Sequence, residues 1–320
     1  MTRRCTLLLA LASALFCFQT AALGISIFDV VNGVTQADYT GYHELLYVHN
    51  GNNRGIGGAQ HDLARTNIFN TLQSFGLTTT LDSFTYNSTT YYNVVGRRVG
   101  TSRPNDIYIV GAHYDSVNNP GADDNASGVA GVMVAAHILT QYPLDATVVF
   151  IAFDREEQGL YGSFAYVAAH SGDNILGMIS LDMIAYNPAG GSHNTALLYG
   201  YGQGNPLEDS LASALLTYGG ITSTEYGALA SSDHWPFQAQ GKPACLLIEG
   251  AVWGNPYYHQ QTDSVDSPNY IDYAYATNMT RGAVAYLAAN AVNMGEVPEP
   301  NCIVILIIAG LARFARRRRA

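Results

Sequence analysis

Gly111 to Gly128 reads GAHYDSVNNPGADDNASG. It follows the apolar run Ile107 to Val110 and leads into a segment with helical spacing. His113, Asp115, Asp123 and Asp124 therefore fall at the end of an expected buried strand and in the loop leaving it. In open α/β sheets, ligands and chemistry collect at the carboxyl ends of strands. One imidazole with two or three carboxylates at such a place has the composition of a metal site. His-x-Asp also occurs as a solvated loop pair, and Asp-Asp-Asn is turn chemistry, so the reading depends on further ligands elsewhere in the chain.

Upstream, residues 36–48 (QADYTGYHELLYV) and 62–75 carry apolar residues at helical spacing, the second segment ending at Gly76. His43-Glu44 starts like a metallopeptidase helix, but position 47 is Tyr where H-E-x-x-H needs its second His. Thr78 to Phe84 and Tyr91 to Val99 read as strands. Downstream, Ser127 to Gln141 reads as a helix rich in small residues, with His137 a structural histidine on an apolar background. Asp145 to Asp154 (DATVVFIAFD) reads as a strand covered on both faces.

Arg155-Glu156-Glu157-Gln158-Gly159 follows that strand at once. Two adjacent carboxylates at the end of a buried strand are costly unless a cation holds at least one of them. Leu160 to His170 then reads as a helix and Ile175 to Met183 as a strand with Asp182 inside it. Asp182 needs a partner: a turn to cap, Arg155, or, most economically, a metal. Ala196 to Tyr201 reads as a strand, Leu207 to Tyr218 as a helix, SSDHWPF (231–237) as a polar loop and Cys245 to Glu249 as a strand. PYYHQQTD (256–263) carries His259, and Ala276 to Met294 closes the domain as a helix. Strands alternating with helices predict a mainly parallel α/β sheet.

The strand-end groups collect as His113, Asp124, Glu157, Asp182 and His259. Two imidazoles and three carboxylates suffice for two zinc ions sharing one bridging carboxylate, with room left for water. Glu156, beside a ligand without being one, then has the place of a general base that takes a proton from water and gives it to a leaving amine. Asp115, two residues from His113 on an extended segment, is placed to orient its imidazole.

GAHYDS, PGADDNASG, FDREEQGLYGS, SLDM, SSDHWPF and YYHQQTD, in that order over roughly residues 36–294, resemble the M28 family of zinc peptidases. The better-known members of that family are secreted bacterial aminopeptidases. The resemblance implies a three-layer α/β/α sandwich with a mixed, mainly parallel central sheet, of the zinc exopeptidase kind. It implies peptide substrates, and two zinc ions held by His113, Asp124, Glu157, Asp182 and His259, with Asp124 as the bridge. It implies Glu156 as general base and Tyr258 as a group that helps hold the oxyanion. Asp154-Arg155 departs from the small or apolar residue usual ahead of the glutamate pair, which bears on the electrostatics of the pocket.

The 320 residues are 48% hydrophobic and 12% charged, enough for one sizeable core. Residues 1–24 have a signal-peptide layout: Arg3 and Arg4, the apolar run Leu7 to Phe18, then small residues. The run is shorter than the ~20 residues a membrane span needs. Residues 25–296 are the expected peptidase domain. Residues 297–320 combine Val-Pro-Glu-Pro, an apolar segment from Cys302 to Leu311 and Arg316 to Arg319, and resemble the PEP-CTERM sorting signal. That resemblance implies an exosortase as partner, only transient membrane association, and export to the cell surface or extracellular matrix of a Gram-negative bacterium. A membrane anchor with cytoplasmic arginines is the competing reading.

Residues 25–300 keep eight of the 15 basic residues and all 25 acids, which argues against nucleic acid as a partner. Cys245 is the one cysteine outside the two ends, so no disulfide framework is expected and Cys245 reads as a small core residue. No G-x-S-x-G elbow occurs, which disfavours a serine hydrolase. The lone lysine, Lys242, precedes Pro, which disfavours a phosphate-binding loop. Glutaminyl cyclases, single-zinc transferases, resemble the same motifs, but the Asp124-Asn125 context favours a peptidase. A non-catalytic matrix protein is the remaining alternative.

Overall fold

The strands that read as apolar runs lie at the centre of the sheet. In this computed structural model, which describes residues 24–295, β3 (Arg103–His113), β4 (Ala146–Phe153), β5 (Asn174–Leu181) and β8 (Ala244–Glu249) pair in parallel in the order β4-β3-β5-β8. β4 and β8 are buried along their whole length, as expected for strands covered on both faces. β1 (Thr78–Tyr86) and β2 (Thr89–Arg98) add an antiparallel edge next to β4. On the other side, β6 (Thr195–Tyr199) runs antiparallel to β8, and β7 (Thr222–Tyr226) runs parallel to β6. The sheet is thus eight-stranded, mixed and mainly parallel, as expected.

Helices cover both faces. α4 (Ala126–Leu139) and α8 (Tyr273–Ala291) lie against one face, with α1 (Ile27–Asn32), α2 (Gln36–Glu44), α3 (His61–Ser74) and α6 (Pro206–Ala214) packed around them. α5 (Tyr161–Ala169) and α7 (His234–Ala239) cover the other face. There Tyr166, Val167 and Phe237 close a core built on Ile109, Val149, Ile151 and Met178. The small residues of α4 bring it hard onto β5: a Cβ at Gly128 would lie 2.3 Å from the Leu181 carbonyl oxygen. Ile25–Asn293 form one compact unit. Among the described residues no helix is long and apolar enough to cross a membrane. The expected signal peptide and sorting tail lie outside the described residues, save for Gly24.

Several local expectations need correction. SSDHWPF is not a loop throughout: α7 begins at His234, because Pro236 suits a first helical turn and Phe237 is drawn into the core. Asp182 sits just past the end of β5 instead of inside it. α1, β7 and the 3-10 turn Val252–Gly254 had no assignment from sequence. β7 is an edge strand whose exposed and half-buried positions alternate without a fully buried face, so it lacks the apolar run that marked the central strands. Cys245 is free and buried.

His43 and His137 are structural. His137 stacks on Phe75 at 5.1 Å and meets the Tyr42 hydroxyl at 3.1 Å. His43 is fully buried, with Nε2 2.6 Å from the Ala122 carbonyl oxygen and Nδ1 3.1 Å from the Tyr273 hydroxyl. Burial pushes its pKa down to about 4. Between an unfolded value near ~6.5 and about 4, the unfolded chain binds a proton that the folded chain refuses. Stability is therefore complete above that window and falls as pH drops through it, by about 3 kcal/mol in all. Thermal midpoints measured from pH 7 to pH 4 should fall, and His43→Gln should flatten that slope. An unchanged slope in the variant would assign the loss to other groups.

Candidate metal centre

Each sequence-selected donor arrives on a different element, at the carboxyl end of the sheet. His113 is the last residue of β3. Asp124 directly precedes α4, whose N-cap Asn125 accepts from the Gly128 N–H at 2.9 Å. Asn125 also donates to the Leu181 carbonyl at 2.9 Å and accepts from the Met183 N–H at 3.3 Å, so it ties the start of α4 to the end of β5 beside Asp182. Glu156 and Glu157 occupy the turn after β4, which closes through Gly159 N–H and Leu160 N–H onto the Glu156 carbonyl. His259 lies in the tyrosine-rich loop after β8, with a left-handed φ of 59°.

The structure brings all five together. His113 Nε2 lies 3.3 Å from Asp124 Oδ1 and 3.5 Å from Asp182 Oδ1. His259 Nε2 lies 3.2 Å from Asp124 Oδ2 and 3.3 Å from Glu157 Oε2. They form two donor groups, His113/Asp124/Asp182 and Asp124/Glu157/His259, with the donor atoms of each within 4.8 Å of one another. Asp124 belongs to both and gives one oxygen to each. Asp123 turns away, accepting from the Ala185 N–H at 2.9 Å and the Asn255 amide at 3.3 Å.

The surrounding groups hold these donors in place. The Asp115 carboxylate accepts from the N–H groups of Glu156 (3.2 Å) and Glu157 (3.3 Å) and lies 3.6 Å from His113 Nδ1. His113 Nδ1 also meets the Asp115 carbonyl at 3.2 Å. Asp182 accepts from Ser232 Oγ at 2.8 Å. Its alternative partner from sequence, Arg155, points elsewhere: its guanidinium lies 4.0 Å from the centre of the Tyr91 ring, and Nη2 is 3.1 Å from His61 Nε2. Asp154 in turn accepts from Tyr114 Oη and contacts His61, each at 2.8 Å. The unusual Asp154-Arg155 pair is thus buried and paired, and neither residue lines the cleft.

Crowded charge dominates the electrostatics. Burial lifts Glu156 well above the usual carboxylate range, with Asp182, Asp233 and Glu157 adding to the shift and His113 opposing it. Burial and then Asp124 push Glu157 up to about 7. Contacts with Asp124 and Glu157 push His259 up to about 10. Burial opposes charge on His113, but Glu156 and the carboxylates of Asp115, Asp124 and Asp182 raise its pKa well above normal. Burial would raise Asp124, yet His113 and His259 hold it far down. Protonated imidazoles here balance carboxylates that a divalent cation would balance instead.

The donor set fits zinc. Ligands about 2.1 Å from a tetrahedral zinc ion lie about 3.4 Å from each other, and the four His–carboxylate contacts above measure 3.2–3.5 Å. Glu157 Oε1 is buried without a hydrogen-bond partner, the state of an oxygen that awaits a cation.

The cleft over these groups opens to solvent. Glu156 lines it, and so does Tyr258, whose ring stacks on His259 at 3.8 Å. Its far wall is apolar, formed by Met183, Leu229, Leu246, Ile248 and Val252. Trp253 stands at this wall 71% exposed, with its indole N–H donating to Tyr199 Oη at 3.0 Å. Sequence reasoning did not find this wall, since its residues come from strands and loops up to 70 positions apart. It also passed over Asp233, fully buried, without a hydrogen-bond partner for either oxygen and raised by burial to about 7.

The sheet order, the helices on both faces and the strand-end donors define an α/β protein of the zinc exopeptidase architecture. Residues 93–287 match Peptidase family M28, and the chain belongs to that family. Leupeptin-inactivating enzyme 1 of Streptomyces exfoliatus is 31% identical over 264 residues, which cover 75% of this chain and 58% of that protein. A zinc aminopeptidase structure from Bacillus subtilis is similar with a TM-score of 0.58 at 27% identity, covering 66% of this chain and 53% of that one. A glutaminyl cyclase structure from Porphyromonas gingivalis shares the fold, with a TM-score of 0.65 at 20% identity and coverage of 81% and 99%. The chain spans about half the length of the curated relatives it matches.

Proposed function

We propose that the chain is an exported aminopeptidase that works with two zinc ions. The observation that carries this reading is the pair of donor groups sharing Asp124, with a glutamate outside both groups facing the same cleft. His113, Asp124 and Asp182 would hold one ion, and Asp124, Glu157 and His259 the other. Zinc at such a site supplies Lewis acidity, making a water more acidic and polarising a peptide carbonyl.

The chain's own residues do the rest. Glu156 is held by its turn and by Asp115, and its partly buried carboxylate, among other carboxylates, has the raised proton affinity a general base needs. It takes the proton from water at a carboxylate oxygen and returns it to the leaving amine. Asp115 orients His113 and carries the backbone of both glutamates. Tyr258 reaches the cleft beside His259 and offers its hydroxyl to the developing oxyanion. The apolar wall accepts the side chain of the residue to be released, so leucyl, methionyl and phenylalanyl substrates should exceed glutamyl and aspartyl ones, which the surrounding carboxylates repel. Export rests on the layout of residues 1–24 and 297–320, with an exosortase as the partner of the tail.

A panel of aminoacyl amides, with an N-terminal glutaminyl peptide added, tests the reading on the full chain. Hydrolysis should favour apolar residues, disappear on chelation and return with zinc. Cyclisation of the glutaminyl peptide in place of hydrolysis would assign the cyclase activity instead. Full activity in rigorously metal-free protein would refute zinc dependence.

A further inference from the structure

We propose that Arg54 and Asp263 are positioning residues that set the separation between His113 and Asp124. The inference rests on the metal-dependent reading above. Residues 114–123 connect His113 to Asp124, so the path of this loop decides whether the two can serve the same ion. Arg54 is fully buried and spans that loop from end to end. Its Nε donates to the Tyr114 carbonyl at 3.0 Å, next to His113. Its Nη2 donates to the Gly121 carbonyl at 2.8 Å, and its Nη1 to the carbonyls of Pro120 and Leu46. The planar guanidinium presents its donors in a rigid fork, so it fixes the distance between the acceptors it joins.

Asp263 takes the opposite groups of the same loop. Its side-chain oxygens accept from the Asp123 N–H at 2.7 Å and the Asp124 N–H at 3.1 Å, and its carbonyl accepts from the Ala122 N–H at 3.2 Å. Asp263 is also fully buried. One cation thus gathers the carbonyls and one anion the N–H groups, and among the described residues the two form no direct ion pair. Between them, Gly121 turns with a left-handed φ of 58°, where a Cβ would lie 2.3 Å from the Asp124 carbonyl oxygen and 2.8 Å from Arg54 Nη2. The loop is therefore pinned at Tyr114, at Pro120 and Gly121, and at Asp124 itself. A lysine at position 54 has a point-like ammonium that cannot span Tyr114 and Gly121 together.

The test is zinc binding to the full chain, read by competition with a chromogenic chelator and by the visible spectrum of the Co²⁺-substituted protein. Arg54→Lys and Asp263→Asn should each weaken zinc binding about 10- to 100-fold, the range seen when groups behind metal ligands are lost. Each should also shift the Co²⁺ bands, because the ligand geometry changes. The double variant should lose less than the product of the two single losses, since both act on one loop. A merely structural role predicts a lower unfolding midpoint for the metal-free variants, with zinc affinity and Co²⁺ bands at the wild-type values; that result overturns the proposal. If Arg54→Lys does not fold, Asp263→Asn decides alone by the same readouts, since it keeps one of the two acceptor oxygens. A wild-type chain that binds no zinc is a separate failure, which sinks the metal reading itself.

Discussion

In the proposed two-zinc enzyme, Glu156→Gln should retain both ions and lose about 10²- to 10⁴-fold in turnover, the contribution of a positioned general base. Glutamine keeps the size of the side chain and the Asp115 contact, because Asp115 holds the backbone N–H of residue 156 and not its carboxylate. What disappears is the group that accepts and returns the proton. Glu157→Gln, one residue on, should behave differently. Its Oε2 faces His259 at 3.3 Å within a donor group and its Oε1 has no partner, so the substitution removes a ligand, and metal content should fall with activity. Metal analysis beside single-turnover rates checks both. Loss of zinc in Glu156→Gln with full occupancy in Glu157→Gln would reverse the assignment within the pair.

Asp124→Ala should be the most damaging single change at the site, because this residue alone belongs to both donor groups. Removing it takes Oδ1 from beside His113 and Oδ2 from beside His259. Both ions should be lost and hydrolysis should fall to background. His259→Ala removes a donor from one group only and should leave about one ion per chain. Equal metal content in the two variants would show that Asp124 does not bridge. The metal-free fold should survive in Asp124→Ala, since the loop stays attached through Arg54 and through the Asp263 contacts to backbone N–H groups.

The contrast between what could and could not be read in advance has a physical origin. Buried parallel strands announce themselves as unbroken apolar runs, so Ala146–Phe153 and Ala244–Glu249 stood out. Acids at the ends of such runs are conspicuous because their burial is costly, which drew attention to Glu157 and Asp182, while Asp124 stood out beside Asp123 in the loop after His113. Arg54 gave no such sign. It lies in the glycine- and asparagine-rich stretch GNNRGIGG, and its four acceptors are backbone carbonyls, whose positions no residue type encodes. Asp263 stood within the quoted YYHQQTD stretch but acts on backbone 140 residues away. The Leu229, Val252 and Trp253 wall was likewise invisible, because apolar residues in loops carry no periodicity. α7 was missed because six residues make too short a helix to show a 3.6-residue repeat.

The donors come from five places along 147 residues of chain, from His113 to His259, and only the parallel pairing of the central strands puts them within reach of each other. No short piece of the unfolded chain holds that set, so an ion that binds here binds the finished fold and hardly binds the denatured ensemble. Ligands of that kind stabilise by mass action, by about 2.7 kcal/mol when the free ion stands at 100 times its Kd. If the chain holds zinc as proposed, its folded population is tied to the zinc in its surroundings, and metal-starved molecules would be the ones that proteases find first.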